Sequence, residues 1–116
     1  MSVQTIRDVL VSVVGEQVGH YQANKNWRDR YAVYGETGAP VSLAADDAAV
    51  QLVLRGEIYY YTMQEFDEKV DQICRALAAA GVIVSIEQIG YTEDTRQIVY
   101  QIHWEVPCGA GAVYSG

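Results

Sequence analysis

The sequence is poor in several residue types that would each point to a class of protein. Its 116 residues include only 2 cysteines, 2 prolines and 8 basic residues, against 15 acidic ones. So few cysteines argue against a disulfide scaffold and favour a reducing compartment. The net charge of −7 argues against binding to a phosphate backbone, because that binding needs clustered Lys and Arg. We therefore expect no specific nucleic-acid partner.

Long hydrophobic runs are also missing. No apolar run approaches the roughly 18 residues of a membrane span, and the first residues lack the apolar core of a signal peptide. We therefore expect no membrane partner. At about 100–200 residues per domain, the length predicts a single α+β domain over residues 1–107. A flexible Gly/Ala-rich tail is expected over residues 108–116.

Two segments have the three- and four-residue apolar spacing of amphipathic helices. The first covers residues 2–14, with the hydroxyl of Ser2 as its N-cap. The second covers residues 63–80. There Thr62 and Glu65 match a capping box, and Phe66 begins the predicted buried stripe.

Alternating and β-branched patterns predict the strands. The longest covers residues 50–62, and two short strands are expected near residues 20–22 and 31–34. Gly56, in the middle of the long strand, suggests a bulge or the close approach of another backbone.

The last third of the chain predicts a β-hairpin. Its strands cover residues 82–89 and 96–106, its turn covers 91–95, and Pro107 is expected to end it. The predicted order is therefore α-β-β-β-α-β-β. This order predicts the α+β class, with a mostly antiparallel sheet of four to five strands packed with two helices.

Catalytic and metal-binding patterns do not withstand inspection. His103, Glu105 and Cys108 invite comparison with zinc deaminases, which use H-x-E and P-C-x-x-C. Here the two halves are contiguous and Gly111 stands where the second cysteine belongs, so a ligand is missing.

Cys74 lies on a predicted apolar stripe, where a thiol acts as a small hydrophobe. We expect no catalytic residue, no metal, no cofactor and no enzyme activity.

Two groups of residues suggest a protein interface. A basic and aromatic loop has the composition of either a solvated loop tip or a contact loop for an acidic partner. It contains Lys25, Trp27, Arg28 and Arg30. Three consecutive tyrosines alternate on the long strand, so Tyr60 enters the core while Tyr59 and Tyr61 lie on the other face. Such aromatic side chains are typical of interfaces.

Four segments together resemble a known family over almost the whole chain. They are the stretches at residues 5–10, 30–34, 56–67 and 89–106. In the order of these segments and of the turns between them, the chain resembles the small tail-terminator, or tail-completion, proteins of long-tailed phages and prophages. The motifs that carry the resemblance are structural rather than catalytic.

The resemblance implies a structural role in the virion tail or neck, after synthesis in the bacterial cytoplasm. Members of this family form a ring, usually a hexamer, that caps the tail tube and presents a surface to the head connector. The implied partners are other copies of the chain, the tail-tube protein and the head-connector protein. An acidic subunit suits a channel that DNA traverses, because like charges repel.

We expect the contacts of such a ring in three segments: the loop 25–30, the segment Glu36–Asp47 and the hairpin tip 92–96. The candidate interface residues are Lys25, Trp27, Arg28, Arg30, Tyr59, Tyr61, Glu93, Asp94 and Arg96. Two alternatives remain. The chain resembles other neck components in size, such as a head-closure or head–tail joining adaptor. It is also compatible with a small cytoplasmic ligand-binding domain or enzyme.

Overall fold

A computed structural model describes residues 3–37, 41–44 and 50–108. In chain order its elements are α1 (Val3–Val14), β1 (Val18–His20), β2 (Arg30–Glu36), β3 (Val41–Ala44), β4 (Val50–Thr62), α2 (Glu68–Ala79), β5 (Ile83–Thr92) and β6 (Gln97–Cys108). Neither helix of these ranges is long and apolar enough to cross a membrane.

The strands form one sheet in the order β1-β2-β4-β6-β5. Among the described strands, β1 and β2 run parallel and every other pair is antiparallel. β3 pairs antiparallel with the first residues of β4, beyond the end of β2. The predicted α+β class and mostly antiparallel sheet are therefore confirmed, with one short strand, β3, added to the predicted order.

Both helices pack on the same face of the sheet. α1 contacts β1 and β2, α2 contacts β5, and the two helices contact each other. Every second residue of β4 and β6 points into this layer, because strand side chains alternate. The side chains with no exposure in the core are Ile6, Leu10, Ala32, Leu54, Ile58, Tyr60, Ile73, Leu77, Ile102, Trp104 and Val106.

α1 and β4 lie where the sequence predicts them. α1 buries Val3, Ile6 and Leu10, which share one face at the predicted spacing. Gly15 follows the helix with a φ of 105°, a conformation that glycine adopts without steric cost. The predicted cap, Ser2, lies outside the described residues.

α2 begins five residues later than predicted, at Glu68. Its N-cap is Asp67, whose carboxylate accepts a hydrogen bond from the backbone N–H of Lys69. The predicted capping box of Thr62 and Glu65 is wrong because Thr62 is still part of β4. Phe66, predicted in the buried stripe, is 90% exposed in the connecting turn.

Two strand boundaries also differ from prediction. The first short strand is β1, two residues earlier than the predicted 20–22. Pro107 does not end β6, which continues to Cys108 with Pro107 opposite Val53. β5 begins opposite Glu105, so beyond that point β6 has an open side. Proline is tolerated in such a position because no ladder hydrogen bond is needed there.

Gly56 allows a close approach at the centre of the sheet, one of the two roles suggested by the sequence. A β-carbon at this position would collide with the carbonyl oxygen of Gly35 and the indole ring of Trp104. The Trp104 ring therefore lies directly over the Gly56 backbone. The predicted tail lies outside the described residues from 109 onward, and so does the segment 45–49.

Candidate interaction surface

The face of the sheet opposite the helices, called the open face below, carries no packed element among the described residues. Directly paired residues point to the same face, so the register defines its members. In β2 and β4 they include Tyr31, Val33, Arg55, Glu57, Tyr59 and Tyr61, and in β5 and β6 they include Ile83, Ser85, Gln88, Val99, Gln101, His103 and Glu105. Aromatic residues occupy one end of this face and charged residues the other.

The aromatic end is a row of rings across β2 and β4. Tyr31 stacks on Tyr61 with a centroid distance of 4.5 Å and an interplanar angle of 19°. Trp27 lies 6.1 Å from Tyr31, and Tyr59, the next ring along β4, is 36% exposed. The prediction that Tyr60 enters the core while its neighbours face the other way is confirmed by the register. A half-exposed aromatic surface of this kind is typical of interface cores.

An open groove of about 610 Å³ extends the aromatic end past the edge of the sheet. Its walls come from the 25–30 loop, from the turn after β4, and from the β5–β6 hairpin tip. The lining includes Lys25, Trp27, Arg28, Asp29, Tyr31, Met63, Asp94 and Thr95. The structure thus brings together two of the three segments expected to make contacts.

The 25–30 loop has an internally bonded conformation. The Nη1 of Arg28 donates to the carbonyl oxygens of Lys25 and Trp27, at 2.8 and 2.9 Å. Gln17 donates from its amide nitrogen to the carbonyl oxygens of Arg28 and Arg30. The loop therefore presents Lys25 and Trp27 from a fixed backbone.

Arg30 lies beside the groove but is engaged within the fold. Its Nε donates to Asp67 at 3.1 Å and its Nη2 to Gln64 at 2.7 Å. Asp67 also accepts hydrogen bonds from the hydroxyls of Tyr60, at 2.6 Å, and Thr62, at 2.7 Å. Arg30 thus ties β2 to the start of α2 while its side chain stays 31% exposed, and its interface role remains a prediction.

The contacts around Asp67 shift the pKa values of Asp67 and Tyr60 in opposite directions. Burial acts to raise the pKa of Asp67, but hydrogen bonds from Tyr60, Lys69 and Thr62 and the charge of Arg30 outweigh it and lower that pKa. Burial and the hydrogen bond to Asp67 raise the pKa of Tyr60. An aspartate directly before a helical pattern is a common N-cap, but the capping-box pattern of Thr62 and Glu65 pointed to an earlier helix start.

Four described residues other than glycine have left-handed backbone conformations. They are Tyr21, Asp29, Phe66 and Arg96, with φ between 54° and 70°. Asp29 lines the groove, and Arg96 directly follows Thr95 in its wall. Such conformations cost about 1–3 kcal/mol and are concentrated at functional sites.

The outer edge of the sheet forms a second exposed surface, called the β5 edge below. No described strand pairs with the free side of β5, which is ten residues long. Its large apolar side chains are 46–61% exposed, namely Ile83, Ile86, Ile89 and Tyr91. A long apolar edge with unpaired backbone groups is a template for pairing with another chain.

The charged end of the open face is organised around His103. Its Nδ1 lies 2.6 Å from Glu57 and 3.7 Å from Glu87, and its Nε2 lies 2.9 Å from Glu105. The hydrogen bond with Glu57 raises the pKa of His103, aided by Glu105 and by the charges of Glu57 and Glu87, against the opposing effect of burial. Strand alternation predicts His103 and Glu105 on one face, but no local pattern predicts that Glu57 and Glu87 lie beside His103.

The remaining predicted contact residues lie apart from the groove or at its rim. Glu93, at the hairpin tip, is exposed. Glu36, at the start of the segment 36–47, accepts hydrogen bonds from Tyr21 at 2.8 Å and pairs with His20 at 2.8 Å. Most of the rest of that segment lies outside the described residues, apart from β3.

Cys74 lacks the surroundings of a reactive thiol. Burial raises its pKa, and the nearby charge of Asp71 acts in the same direction. A thiol nucleophile needs the opposite shift. The side chain packs against the core, as expected for a small hydrophobe.

By its fold, the protein is an α+β domain with two helices on one face of a mostly antiparallel sheet. No protein-family model matches the chain, and no curated protein matches it. Among solved structures, the chain is similar to one in the virion of a native gene transfer agent particle. That similarity has a TM-score of 0.55 at 16% identity and covers 90% of this chain and 89% of that one. At this identity the similarity shows a shared fold.

Proposed function

We propose that this chain is a non-enzymatic structural protein of a virion, a tail terminator whose copies form a ring on the tail tube. The observation that carries the proposal is the half-covered sheet. Two helices pack on one face, whereas the other exposes an aromatic row. The sheet also ends in the unpaired β5 edge, where Ile86, Ile89 and Tyr91 stay exposed on the helix side. Surfaces of this kind are typical of subunits that are buried further in an assembly.

A ring of identical subunits would explain why the chain exposes two separate surfaces, the aromatic groove and the β5 edge. Head-to-tail contacts join two different patches of each subunit, and they close into a ring when the rotation allows it. The aromatic groove and the β5 edge are the two patches that we assign to this contact. The groove offers charged side chains of both signs, Lys25 and Arg28 beside Asp29 and Asp94, which can fix the register of such a contact.

The particular role rests on two further supports. The chain resembles tail-terminator proteins in the order of its segments, and its fold is shared with a chain of a virion particle over 90% of its length. We therefore propose the tail-tube protein and the head-connector protein as partners. The virion tail or neck is the proposed location. The net charge of −7 suits a ring around a DNA channel because like charges repel.

Polymerising tail-tube subunits with and without the purified chain tests the proposal. We expect the wild-type protein to bind tube ends and to limit tube length. The double variant Tyr59→Ser/Tyr61→Ser is expected to lose this effect while remaining folded. Arg75→Ala, on the exposed surface of α2, is the matched control and should act as the wild type does.

Two outcomes would contradict the tail-terminator role. Tube growth unaffected by an excess of the wild-type chain would remove it. Binding to the head connector without any effect on tube length would favour the alternative, a head–tail joining adaptor.

A further inference from the structure

Three strands bring one histidine and two carboxylates to a single point on the open face. Glu57 of β4 lies directly opposite His103 of β6. On the other side of β6, the register of β5 shifts between Ile86 and Gln88. This irregularity inserts Glu87 as an extra residue, and its carboxylate lies 3.7 Å from the imidazole. Bulges commonly redirect a side chain in this way.

The three side chains have the spacing of a metal-ligand set. One atom from each, a carboxylate oxygen of Glu57 and of Glu87 and a ring nitrogen of His103, lies within 4.8 Å of the other two. Zinc binds such atoms at about 2.0–2.2 Å, so the atoms of a tetrahedral shell lie roughly 3.4 Å apart. The observed Nδ1–oxygen distances of 2.6 and 3.7 Å bracket this value. To form such a shell, the Glu57 oxygen would move away from Nδ1 and the Glu87 oxygen would move slightly closer.

The surrounding groups hold the ligands as metal sites require. A ligating histidine usually donates its other ring N–H to a carboxylate, which fixes the tautomer and the orientation of the ring. Glu105 lies 2.9 Å from Nε2 and fills this position. Gln101 donates to the second oxygen of Glu57 at 3.1 Å, which steadies that carboxylate.

Burial also separates this cluster from an ordinary solvated acidic patch. The side chains of Glu57 and His103 are only 12% and 20% exposed, whereas Glu87 is 45% exposed at the sheet edge. Two ligands are therefore fixed within the sheet, and the third lies on the side from which an ion would enter. Charged groups that are partly withdrawn from water gain by coordinating a cation.

We propose that Glu57, Glu87 and His103 form a binding site for a divalent cation of the zinc class, with Glu105 as the residue that orients His103. The imidazole ligand favours zinc and related transition metals over Mg²⁺ and Ca²⁺, which prefer shells made only of oxygen. Three protein ligands leave a coordination position for water or for another group. The proposal does not depend on the tail-terminator role.

Isothermal titration of the metal-free full chain with ZnCl₂ tests the site, with native mass spectrometry to count bound ions. We expect one Zn²⁺ per chain and no comparable binding of MgCl₂. Glu105→Gln should weaken binding about 10–100-fold, and His103→Gln should weaken it further. Co²⁺ in place of zinc should give visible absorption bands in the wild type that His103→Gln lacks.

His20→Gln is the matched control because His20 also pairs with a glutamate, Glu36, at 2.8 Å, but within the described part of the chain its ring pairs with no second carboxylate. It should bind zinc as the wild type does. Glu87→Gln, at the exposed edge, provides a second test if His103→Gln does not fold. The proposal is overturned if the wild type binds no zinc, or if His103→Gln and Glu87→Gln both bind it with wild-type affinity.

Discussion

The two faces of this sheet differ in how their central residues are packed, although the same strands build both. On the helix-covered face, Tyr60, Ile102 and Trp104 have no exposure at all, whereas Tyr59, one residue away along β4, is 36% exposed. Alternation explains which face each side chain occupies, but only the helices explain why one face is closed. The covered face therefore holds most of the buried core, while the open face carries the exposed aromatic and charged side chains.

Removal of the largest core side chain should give the greatest loss of stability. Trp104→Ala removes an indole with no exposure and leaves a cavity over Gly56. We expect the free energy of unfolding, measured by urea denaturation, to fall by about 3–5 kcal/mol. Tyr59→Ala, on the open face, is the matched aromatic control and should cost less than about 1 kcal/mol. Equal losses for the two variants would remove the distinction between the faces.

Asp67 is the polar centre of the covered face. Asp67→Ala should reduce the free energy of unfolding by about 2–4 kcal/mol, because it removes the N-cap and leaves the buried hydroxyls of Tyr60 and Thr62 without their acceptor. Asp71→Ala breaks only an exposed pair with Arg75, at 2.7 Å. That control should cost about 0.3–0.5 kcal/mol. Similar denaturation midpoints for the two variants would refute the central role of Asp67.

Two glycines in the sheet should respond differently to alanine. Gly56→Ala places a methyl group against the Gly35 carbonyl and the Trp104 ring, so we expect a loss of about 1–3 kcal/mol in thermal or urea unfolding. At Gly90 of β5, no atom lies within 4 Å of an added β-carbon. Gly90→Ala should therefore change stability by less than about 1 kcal/mol. A tolerated Gly56→Ala would contradict the close approach at the sheet centre.

Acid should weaken the domain through Asp67. Its pKa in the folded chain lies below the ordinary 3.8, so the unfolded chain takes up this proton first as the pH falls. The stabilisation is complete well above pH 3.8 and is lost as the pH falls through the folded pKa. Urea unfolding between about pH 7 and pH 3 should show a steeper acid loss for the wild type than for Asp67→Asn. Parallel curves would refute this assignment.

Local patterns predicted much of this fold. The bounds of β4, the buried stripe of α1 and the opposite directions of Tyr59 and Tyr60 all follow from periodicity. The start of α2 did not, because Thr62 and Glu65 imitate a capping box while the strand pairing of Thr62 with Arg30 and Ile98 keeps that residue in the sheet. Tertiary pairing overrode a local signal.

The candidate sites were harder to predict because they depend on register. The groove joins a loop before β2 to a hairpin tip after β5, and the His103 cluster joins three strands that are distant in sequence. Nothing local to Glu87 indicates that a bulge turns it towards His103. Only the pairing of β5 with β6 shows it. The basic and aromatic composition of the 25–30 loop was the one local signal for the groove.

Native mass spectrometry of the full-length chain across protein concentration, alone and with tail-tube subunits, tests the central claim most directly. The account predicts a closed ring, expected to be a hexamer, that is lost in Tyr59→Ser/Tyr61→Ser and retained in Arg75→Ala. A chain that stays monomeric at every concentration, both alone and with the tube subunits, would contradict it.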